Sequence, residues 1–399
     1  MGSANDGWRR LLRLCACALA TLLLAAPGCI AATGDEDETV QEDAEDTEIV
    51  EAGQSGGKPL ACADPGALSH GGKYYLACTG GSKNGGHLPI YASADMKKWT
   101  HIGFVFPKGN GKHPWGKDAW WAPELAFIGG QFVAYYTAQD ASGKHRIGVA
   151  TSATIEGPYQ DIGQPLVDRS FGTIDPHLFD DGGQLWLYYK RASNGVHTTL
   201  FAQRLEADGL KTAGTAKPTL DFGLGWEGEL VEAPWVVKHG DFYYMFYSAN
   251  WYCNADYAVG VARSKSPDGP FMKRGLPILK ATGAWRGPGH NSVIRDAENV
   301  DWMIYHAYDG KQAEPKCAHL DANPPRVLRR AAIDWKSGWP VLSPPERSCK
   351  VQCCDGTVKK LGQETRQDCK SPGDVCQGHG GKNIVTWGGF SIADSDKCQ

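Results

Sequence analysis

A short apolar segment that starts at a proline recurs along the chain at nearly constant spacing. Four copies place the proline at positions 65, 123, 176 and 234, and the fifth copy has Asn291 at the equivalent position. The intervals between copies are 58, 53, 58 and 57 residues. A fixed period of this length is typical of stacked or radial repeats, so it limits the possible folds more than any single motif does.

Each repeat contains strand signals and no long helical pattern. In the third copy, "IDPHLF" is followed by the turn "DDGG", the aromatic segment "QLWLYYK" and the further segment "TTLFAQRL". Aromatic and β-branched residues favour strands, and the glycines allow a tight hairpin turn. Four strands per period predict one propeller blade, so five copies predict an all-β, five-bladed β-propeller over residues 59–345. A β-sandwich is the alternative, although its strands do not repeat at this spacing.

The N-terminal residues 1–28 have the features of a signal peptide. Three arginines between positions 9 and 13 precede an apolar run that ends at Ala26 and is too short to span a membrane. The run leads into "AAPGC", where Cys29 resembles the lipid-carrying cysteine of a bacterial lipoprotein. We therefore expect an exported bacterial protein, extracellular or attached to the cell surface through an outer-membrane lipid anchor. Ordinary secretion without a lipid is the alternative.

Residues 29–58 are acidic and end in a Gly/Ser-rich stretch. Such a segment lacks the apolar side chains that a core requires, so we expect a disordered tether. The segment from Arg329 to Leu342 reads as the strands that complete the last blade.

The 13 cysteines divide into groups that suit an oxidised, exported protein. Three lie at or before position 29, and both remaining groups contain an even number, which favours disulfides. A zinc site is the alternative, but no two Cys-x2-Cys pairs face each other at the required spacing. Residues 346–399 are therefore predicted to form a small disulfide-rich module. The two groups are Cys62, Cys78, Cys253 and Cys317 in the predicted propeller, and Cys349, Cys353, Cys354, Cys369, Cys376 and Cys398 after it.

Three acidic residues occupy related positions in the repeat. Asp64, Asp175 and Glu232 lie at, or one residue from, the position that precedes the proline in copies 1, 3 and 4. The innermost strand of every blade lines the central axis, so these carboxylates should meet at one mouth of the channel. The prolines after the two aspartates are expected to hold those residues extended. Carboxylates in one pocket differ in proton affinity, and a base paired with an acid is what glycoside hydrolysis requires.

These motifs together resemble those of glycoside hydrolase family 43. The matching segments, over about residues 60–345, are "ADP", "WAPEL", "IGVATSATIEGPY", "IDPHLFDDGGQLWLYY", "EAPWVVKHGDFYYMFYSAN", "GPGHNSVI" and "AIDWKSGWPV". The resemblance implies a five-bladed propeller of inverting enzymes that act on arabinans and xylans. By motif, Asp64 would be the general base, Glu232 the general acid, and Asp175 the residue that orients the acid and tunes its pKa. No organic cofactor is implied.

The resemblance also implies a metal near the channel axis. His290, in "GPGH", matches a histidine that helps to hold calcium through water molecules in arabinanase-like members. A hydrogen-bonded core histidine is the alternative, since calcium prefers oxygen ligands.

Within the family the motifs are most similar to endo-1,5-α-L-arabinanases, so arabinan is the expected substrate. The alternatives are an exo-acting β-xylosidase or α-L-arabinofuranosidase of the same family, and a non-catalytic carbohydrate-binding propeller. The loop "FPKGNGKHPWGKDAWW" should overhang the cleft, and its Trp115 and Trp121, or Trp120, are expected to stack against sugars. With a net charge of -4, the chain has no indication of a nucleic-acid partner, and we expect a monomer.

Overall fold

The computed structural model describes residues 51–52, 54–55, 58–82, 85–109, 113–192, 197–343, 349–361, 376–378, 382–387 and 390–393. The predicted signal peptide and most of the predicted tether lie outside these residues. Regular structure in the described part is almost entirely β, with two short 3-10 helices at Gly225–Glu227 and Cys317–Ala322. No helix in this part has both the length and the apolar character that crossing a membrane requires.

Five sheets, each with four main strands, follow one another along the chain as the repeat predicts. Three short strands come first: β1 (Glu51–Ala52), β2 (Gln54–Ser55) and β3 (Lys58–Pro59). Blade 1 contains β4 (Gly66–His70), β5 (Lys73–Ala77), β6 (Gly81–Ser82), β7 (Gly86–Ser93) and β8 (Thr100–Pro107). Blade 2 contains β9 (Asp118–Ile128), β10 (Gln131–Gln139), β11 (His145–Ser152) and β12 (Gln160–Asp161). Blade 3 contains β13 (Thr173–Asp181), β14 (Gln184–Ala192), β15 (Thr198–Leu205) and β16 (Thr212–Asp221).

The last two blades have the same antiparallel order. Blade 4 contains β17 (Val231–His239), β18 (Phe242–Ala249), β19 (Ala258–Ser264) and β20 (Met272–Lys273). Blade 5 contains β21 (Trp285–Arg295), β22 (Asp301–Asp309), β23 (Val327–Lys336) and β24 (Trp339–Ser343). The prediction of an all-β, five-bladed propeller is confirmed, and β23 and β24 complete the last blade as expected.

The N-terminal strands close the ring against the last blade. Strand β1 pairs with β23, and Ala61 forms a bridge to Val327 further along the same strand. The Cys62–Cys78 disulfide then fixes the start of blade 1. Residues 51–52 and 54–55 belong to the segment predicted as a disordered tether. Residues 51–52 pair with β23 and residues 54–55 pair with β3, so the prediction does not hold for these residues. Residues 29–50 lie outside the described part.

Five apolar clusters fill the spaces between consecutive blades. Between blades 2 and 3, for example, Tyr135 packs with Leu187 and Tyr189. Between blades 5 and 1, Trp302 packs with Leu76. A buried aromatic side chain removes about 150–250 Å² from water, which at about 25 cal/mol per Å² amounts to several kcal/mol for each such residue. This burial explains why aromatic residues recur in the second strand of each repeat.

The described disulfides occur in both parts of the chain where they were expected. Cys62–Cys78 and Cys253–Cys317 lie in the propeller, and Cys353–Cys376 lies in the C-terminal part. Cys354 is also disulfide-bonded. The C-terminal part has its own sheet, in the order β26-β25-β27-β28. These strands are β25 (Cys349–Cys353), β26 (Val358–Leu361), β27 (Lys382–Trp387) and β28 (Phe390–Ala393).

Candidate active site

Each blade has a residue in the left-handed backbone region, within its innermost strand or, for Asp64, two residues before it. We call these five the axial residues. The expectation that proline keeps Asp64 and Asp175 extended is therefore wrong. The strand pairing shifts register after this position in blades 3, 4 and 5, so the backbone bulges here instead of continuing as a regular strand. Left-handed backbone at a non-glycine residue costs about 1–3 kcal/mol and recurs at functional sites. The axial residues are Asp64 (φ 52°), Ala122 (φ 44°), Asp175 (φ 58°), Ala233 (φ 50°) and His290 (φ 47°).

Side chains from neighbouring blades hold four of the axial residues in place. In each case the axial N–H donates to a side chain at the end of the second strand of the preceding blade. These acceptors lie 15 residues after the axial residue of their own blade, or 16 in blade 5. The contacts are Ala122 to Thr79 Oγ1 (2.7 Å), Asp175 to Thr137 Oγ1 (3.2 Å), His290 to Ser248 Oγ (2.7 Å) and Asp64 to His306 Nδ1 (3.1 Å).

Blade 3 lacks this contact because its second-strand position is Lys190, whose ammonium group cannot accept a hydrogen bond. The N–H of Ala233 donates instead to Oδ2 of Asp175, at 3.1 Å. Lys190 Nζ lies 2.7 Å from Oε2 of Glu232, and the Tyr257 hydroxyl donates to Oε1 at 2.7 Å. Because blade 3 has a lysine at this position, Asp175 accepts the N–H of Ala233 and Lys190 contacts Glu232 on the same strand.

Asp64 is buried among groups that favour its ionised form. Thr79 Oγ1 donates to Oδ2 at 2.6 Å, Arg326 Nη1 donates to Oδ1 at 2.6 Å, and His290 Nδ1 is 3.3 Å from Oδ1. Burial raises the pKa of this carboxyl, but the charge of Arg326, together with His290 and the hydrogen bond from Thr79, outweighs burial and leaves the pKa well below its usual range. Asp64 is therefore a carboxylate at neutral pH.

The second histidine near Asp64 is neutral. His306 Nδ1 accepts the backbone N–H of Asp64, which a protonated ring nitrogen cannot do. Burial, followed by the charge of Arg326, lowers the pKa of His306 well below its usual value, in agreement with this geometry. His306 therefore fixes the backbone of Asp64 without adding a full positive charge.

Asp175 has the opposite electrostatic environment. Burial is the largest effect and raises its pKa, and the negative charge of Glu232 adds to it, while His290 and Lys190 oppose the rise. The pKa of Asp175 is raised to about 6. Asp175 therefore exchanges its proton near neutral pH whereas Asp64 stays ionised, which is a difference suited to acid-base chemistry.

All three predicted carboxylates line one cavity of about 230 Å³ at the mouth of the axis. Arg326 and Lys190 bring positive charge to it, and two tryptophans contribute apolar surface. The repeat therefore predicted the convergence of blades 1, 3 and 4 correctly. The lining residues are Asp64, Thr79, Trp121, Ile174, Asp175, Lys190, Leu230, Glu232, Trp251, Tyr252, His290 and Arg326.

Two tryptophans of the cavity are partly exposed and available to a ligand. Trp121 is 37% exposed and stacks on His145, with ring centroids 4.4 Å apart. Trp251, which sequence reasoning did not single out, is 49% exposed and follows β18 in blade 4. The Cys253–Cys317 disulfide anchors its loop, and the Arg326 guanidinium lies 4.8 Å from the ring centre of the adjacent Tyr252.

Trp115 does not line the cavity, so its position does not support the predicted role in sugar binding. Its indole stacks on Tyr136, with centroids 5.8 Å apart, and its Nε1 donates to Asp161 Oδ2 at 3.2 Å. These contacts belong to the apolar cluster between blades 1 and 2. Trp120, the other candidate, is buried in the same cluster.

His290 lines the cavity, but the surrounding side chains do not form a calcium cage. Within the described ranges, no three His, Cys, Asp or Glu side chains are grouped to hold a metal ion. The nearby Asp64 oxygens already accept from Thr79 and Arg326. Calcium takes six to eight oxygen ligands, so an ion here would depend on water and backbone oxygens.

The fold and the carboxylate cavity agree with the comparison to known families. The model of glycosyl hydrolases family 43 matches residues 58–340, which is well over half of the chain.

This chain belongs to glycosyl hydrolases family 43.

Curated relatives of this family 43 protein cover most of its length. An "extracellular endo-alpha-(1->5)-L-arabinanase 1" from Bacillus subtilis is 29% identical over 307 residues, which are 69% of this chain and 86% of the relative. A "probable arabinan endo-1,5-alpha-L-arabinosidase A" from Neosartorya fischeri is 28% identical over 300 residues, 68% of this chain and 87% of the relative.

Solved structures give the same result for the fold. A thermostable family-43 glycoside hydrolase matches with a TM-score of 0.65 and 30% identity, over 74% of this chain and 96% of that structure. An endo-1,4-beta-xylanase from Bacteroides thetaiotaomicron matches with a TM-score of 0.62 and 28% identity, over 76% and 98%. The family 43 protein described here is thus a glycoside hydrolase.

Proposed function

We propose that this family 43 hydrolase cleaves α-1,5-linked L-arabinan with inversion at the anomeric carbon. The observation that carries the proposal is that one cavity contains the ionised Asp64 of blade 1 together with Asp175 of blade 3 and Glu232 of blade 4. The names of the relatives from Bacillus subtilis and Neosartorya fischeri support arabinan as the polymer.

In this mechanism Asp64 is the general base. Its carboxylate removes a proton from a water molecule as the oxygen of that water attacks the anomeric carbon. Arg326 and Thr79 hold the two carboxylate oxygens, so the base is oriented before substrate arrives. Inversion requires room for this water, and about 6.5–9.5 Å between the acid and base carboxyl groups is typical.

Glu232 is the general acid on the opposite side. It donates its proton to the glycosidic oxygen as the bond to the anomeric carbon breaks, and the leaving chain departs as an alcohol. Asp175 orients the acid, because its Oδ2 holds the N–H of Ala233, the residue after Glu232. After product release, solvent restores the proton to the acid and removes the proton from Asp64.

The two exposed tryptophans suit a sugar polymer. Trp121 belongs to blade 2 and Trp251 to the loop after β18 of blade 4, and both line the cavity. Apolar faces of sugar rings pack on indole rings, and the carboxylates and Arg326 supply polar contacts. We propose that sugars on either side of the cleaved bond stack on these residues.

An enzyme that acts on xylan is the second candidate, favoured by the structural match to the endo-1,4-beta-xylanase at 28% identity. A panel of debranched arabinan, xylan, arabinoxylan and aryl glycosides, with sizing of the products, separates the candidates. Oligosaccharides from debranched arabinan support the proposal. Turnover of xylan or xylosides alone would overturn the substrate, release of monosaccharide alone would indicate an exo-acting enzyme, and no turnover would favour a carbohydrate-binding propeller.

We further propose, as a separate prediction, that calcium binds near His290 through water molecules. Treatment with EDTA should then lower the melting temperature, and added calcium should restore it. A melting temperature that is insensitive to both would contradict the prediction.

We also propose that the protein is exported as a monomer and anchored by lipid at Cys29, a residue outside the described part. The disulfides and the extracellular relative from Bacillus subtilis support export. Detergent partitioning of the parent protein and of Cys29→Ser tests the anchor. Release of the variant alone into the aqueous phase supports lipid attachment, and release of both contradicts it.

A further inference from the structure

Lys190 stands where the other four blades place a hydrogen-bond acceptor. The equivalent residues Thr79, Thr137, Ser248 and His306 each accept the N–H of an axial residue in the next blade. Lys190 cannot accept, and its ammonium group points to Glu232 instead. Lys190 lies in blade 3, directly before the blade that carries the predicted general acid Glu232.

The contact between Lys190 and Glu232 is shielded from water. Their side chains are 12% and 9% exposed, and Nζ lies 2.7 Å from Oε2. A buried charge is stable only when it is paired, so the ammonium favours a carboxylate partner. The Tyr257 hydroxyl donates to the other oxygen, Oε1. Both oxygens of Glu232 therefore accept hydrogen bonds, as a carboxylate does.

This arrangement conflicts with storage of the catalytic proton on Glu232. An ammonium group can only donate, so Oε2 has to accept while the pair is intact. Asp175 is the adjacent acid, and its Oδ2 accepts a hydrogen bond from the N–H of Ala233 on the strand that carries Glu232. Burial and the negative charge of Glu232 raise the pKa of Asp175 to about 6, so Asp175 can hold a proton near neutral pH.

We propose that Lys190 is a positioning residue for Glu232 that directs the catalytic proton to Asp175 in the free enzyme. Substrate binding then has to weaken the Lys190–Glu232 pair, so that the proton passes from Asp175 to Glu232. Glu232 donates this proton to the leaving group and is left as a carboxylate. Lys190 thereby sets the upper pH limit of activity. The inference rests on the proposed hydrolysis for its kinetic readout, but a spectroscopic readout is independent of turnover.

Other titratable groups surround this pair and affect both readouts. Burial lowers the pKa of Lys190, but the charges of Glu232 and Asp175 outweigh it and raise the pKa, so the ammonium stays charged. Variants are therefore compared at constant ionic strength with the remaining groups unchanged. The surrounding groups are Asp64, Asp175, Tyr252, Tyr257, His145, His290 and Arg326.

The kinetic test compares Lys190→Met, which removes the charge, with Lys190→Arg, which keeps it. An opposite charge at this distance typically shifts a carboxyl titration by 1–3 pH units. The basic limb of the kcat/KM profile should therefore move up by about 1 unit or more in Lys190→Met and stay within about 0.3 unit of the parent in Lys190→Arg. A basic limb that is unmoved in folded Lys190→Met would show that Lys190 has only a structural role. Lys190→Gln replaces Lys190→Met if the latter does not fold.

Infrared difference titration of the protein without substrate provides the second readout. The band of protonated carboxyl groups should titrate at higher pH in Lys190→Met than in the parent. The change should become smaller when Glu232→Gln is added, because Lys190 then has no charged partner at 2.7 Å. An unchanged titration overturns the inference even if the enzyme is active, whereas a shifted titration in a protein that hydrolyses no glycoside would contradict only the proposed function.

Discussion

Asp175 Oδ2 accepts the backbone N–H of Ala233 at 3.1 Å, so the acid of blade 3 holds the residue that follows Glu232 in blade 4. In the equivalent contacts of the other four axial residues, the acceptor is a threonine, serine or histidine at the second-strand position. Asp175 fills this role because Lys190 cannot. The same residue therefore supports the fold and the predicted acid, and its burial has a measurable effect on stability.

Asp175→Asn should stabilise the protein at neutral pH. The pKa of Asp175 is about 6 in the folded state and 3.8 in the reference state, so the folded state holds the proton more tightly. Stability then falls as pH rises from about 4 to 6 and stays lower above that. The amide removes this penalty, so we expect a gain of about 1–3 kcal/mol at pH 7–8 and little gain at pH 4. Thermal unfolding as a function of pH measures both.

Asp64→Asn should have the opposite effect and serves as the matched control. The pKa of Asp64 is depressed in the fold, so its contribution to stability is fully present above about pH 4. The contribution is lost as pH falls from there toward the depressed pKa of the folded state. The variant leaves the largely buried Arg326 without its carboxylate, which should cost about 3 kcal/mol at pH 7. Equal changes in stability for the two variants at pH 7 would contradict the electrostatic description of the site.

Glu232→Gln should lose turnover in a way that depends on the leaving group. A general acid contributes roughly 10²–10⁴-fold, so kcat on arabinan should fall by that amount. A dinitrophenyl glycoside needs little protonation, and its rate should fall much less. Asp64→Asn should reduce both rates, because the base acts on water in either case. A similar loss on both substrates in folded Glu232→Gln would exclude the acid role.

Trp121→Ala and Trp251→Ala should each weaken binding of oligosaccharides. Loss of one stacking surface, at about 1.4 kcal/mol, corresponds to a roughly tenfold rise in KM. Trp115→Phe is the control, because Trp115 packs against Tyr136 outside the cavity, and this change should lower the melting temperature while KM is preserved. A KM effect for Trp115 but not for Trp121 or Trp251 would reverse the assignment.

Removal of the chain after residue 345 should leave hydrolysis of soluble substrate intact. The C-terminal strands form a sheet of their own, with the Cys353–Cys376 disulfide, and blade 5 is complete with β24. We expect kcat and KM on short oligosaccharides to stay within about twofold of the parent, since surface changes away from a site usually have small effects. Failure of the truncated protein to fold would show that the C-terminal sheet supports the propeller.

The fold could be predicted from the sequence because every blade repeats the same pairing chemistry. The prolines at 65, 123, 176 and 234 recur with the turns and aromatic strands, so one pattern was observed several times. The convergence of Asp64, Asp175 and Glu232 followed from this register alone. Their backbone conformation did not. The rule for residues before proline describes unstrained chains, whereas the axial residues adopt left-handed backbone and donate their N–H groups to side chains of the preceding blade.

Lys190 and Trp251 are two of the site residues that were missed, and the reasons differ. Lys190 could have been found, since the positions 79, 137, 190, 248 and 306 follow the same spacing and only one of them carries a lysine. Trp251 had no comparable signal, because it lies in a loop whose position depends on the Cys253–Cys317 disulfide. Trp115 was assigned to the site from its loop, whereas its indole is held by Tyr136 and Asp161.

The most direct test of the proposed activity is proton NMR of the first products formed from debranched 1,5-α-L-arabinan. Freshly formed reducing ends should have the β-configuration, as inversion of an α-linkage requires, and the products should be short oligosaccharides. Neither signal should appear with Asp64→Asn or Glu232→Gln. First products of the α-configuration, or no new reducing ends with the parent enzyme, would contradict an inverting arabinan hydrolase with Asp64 as base and Glu232 as acid.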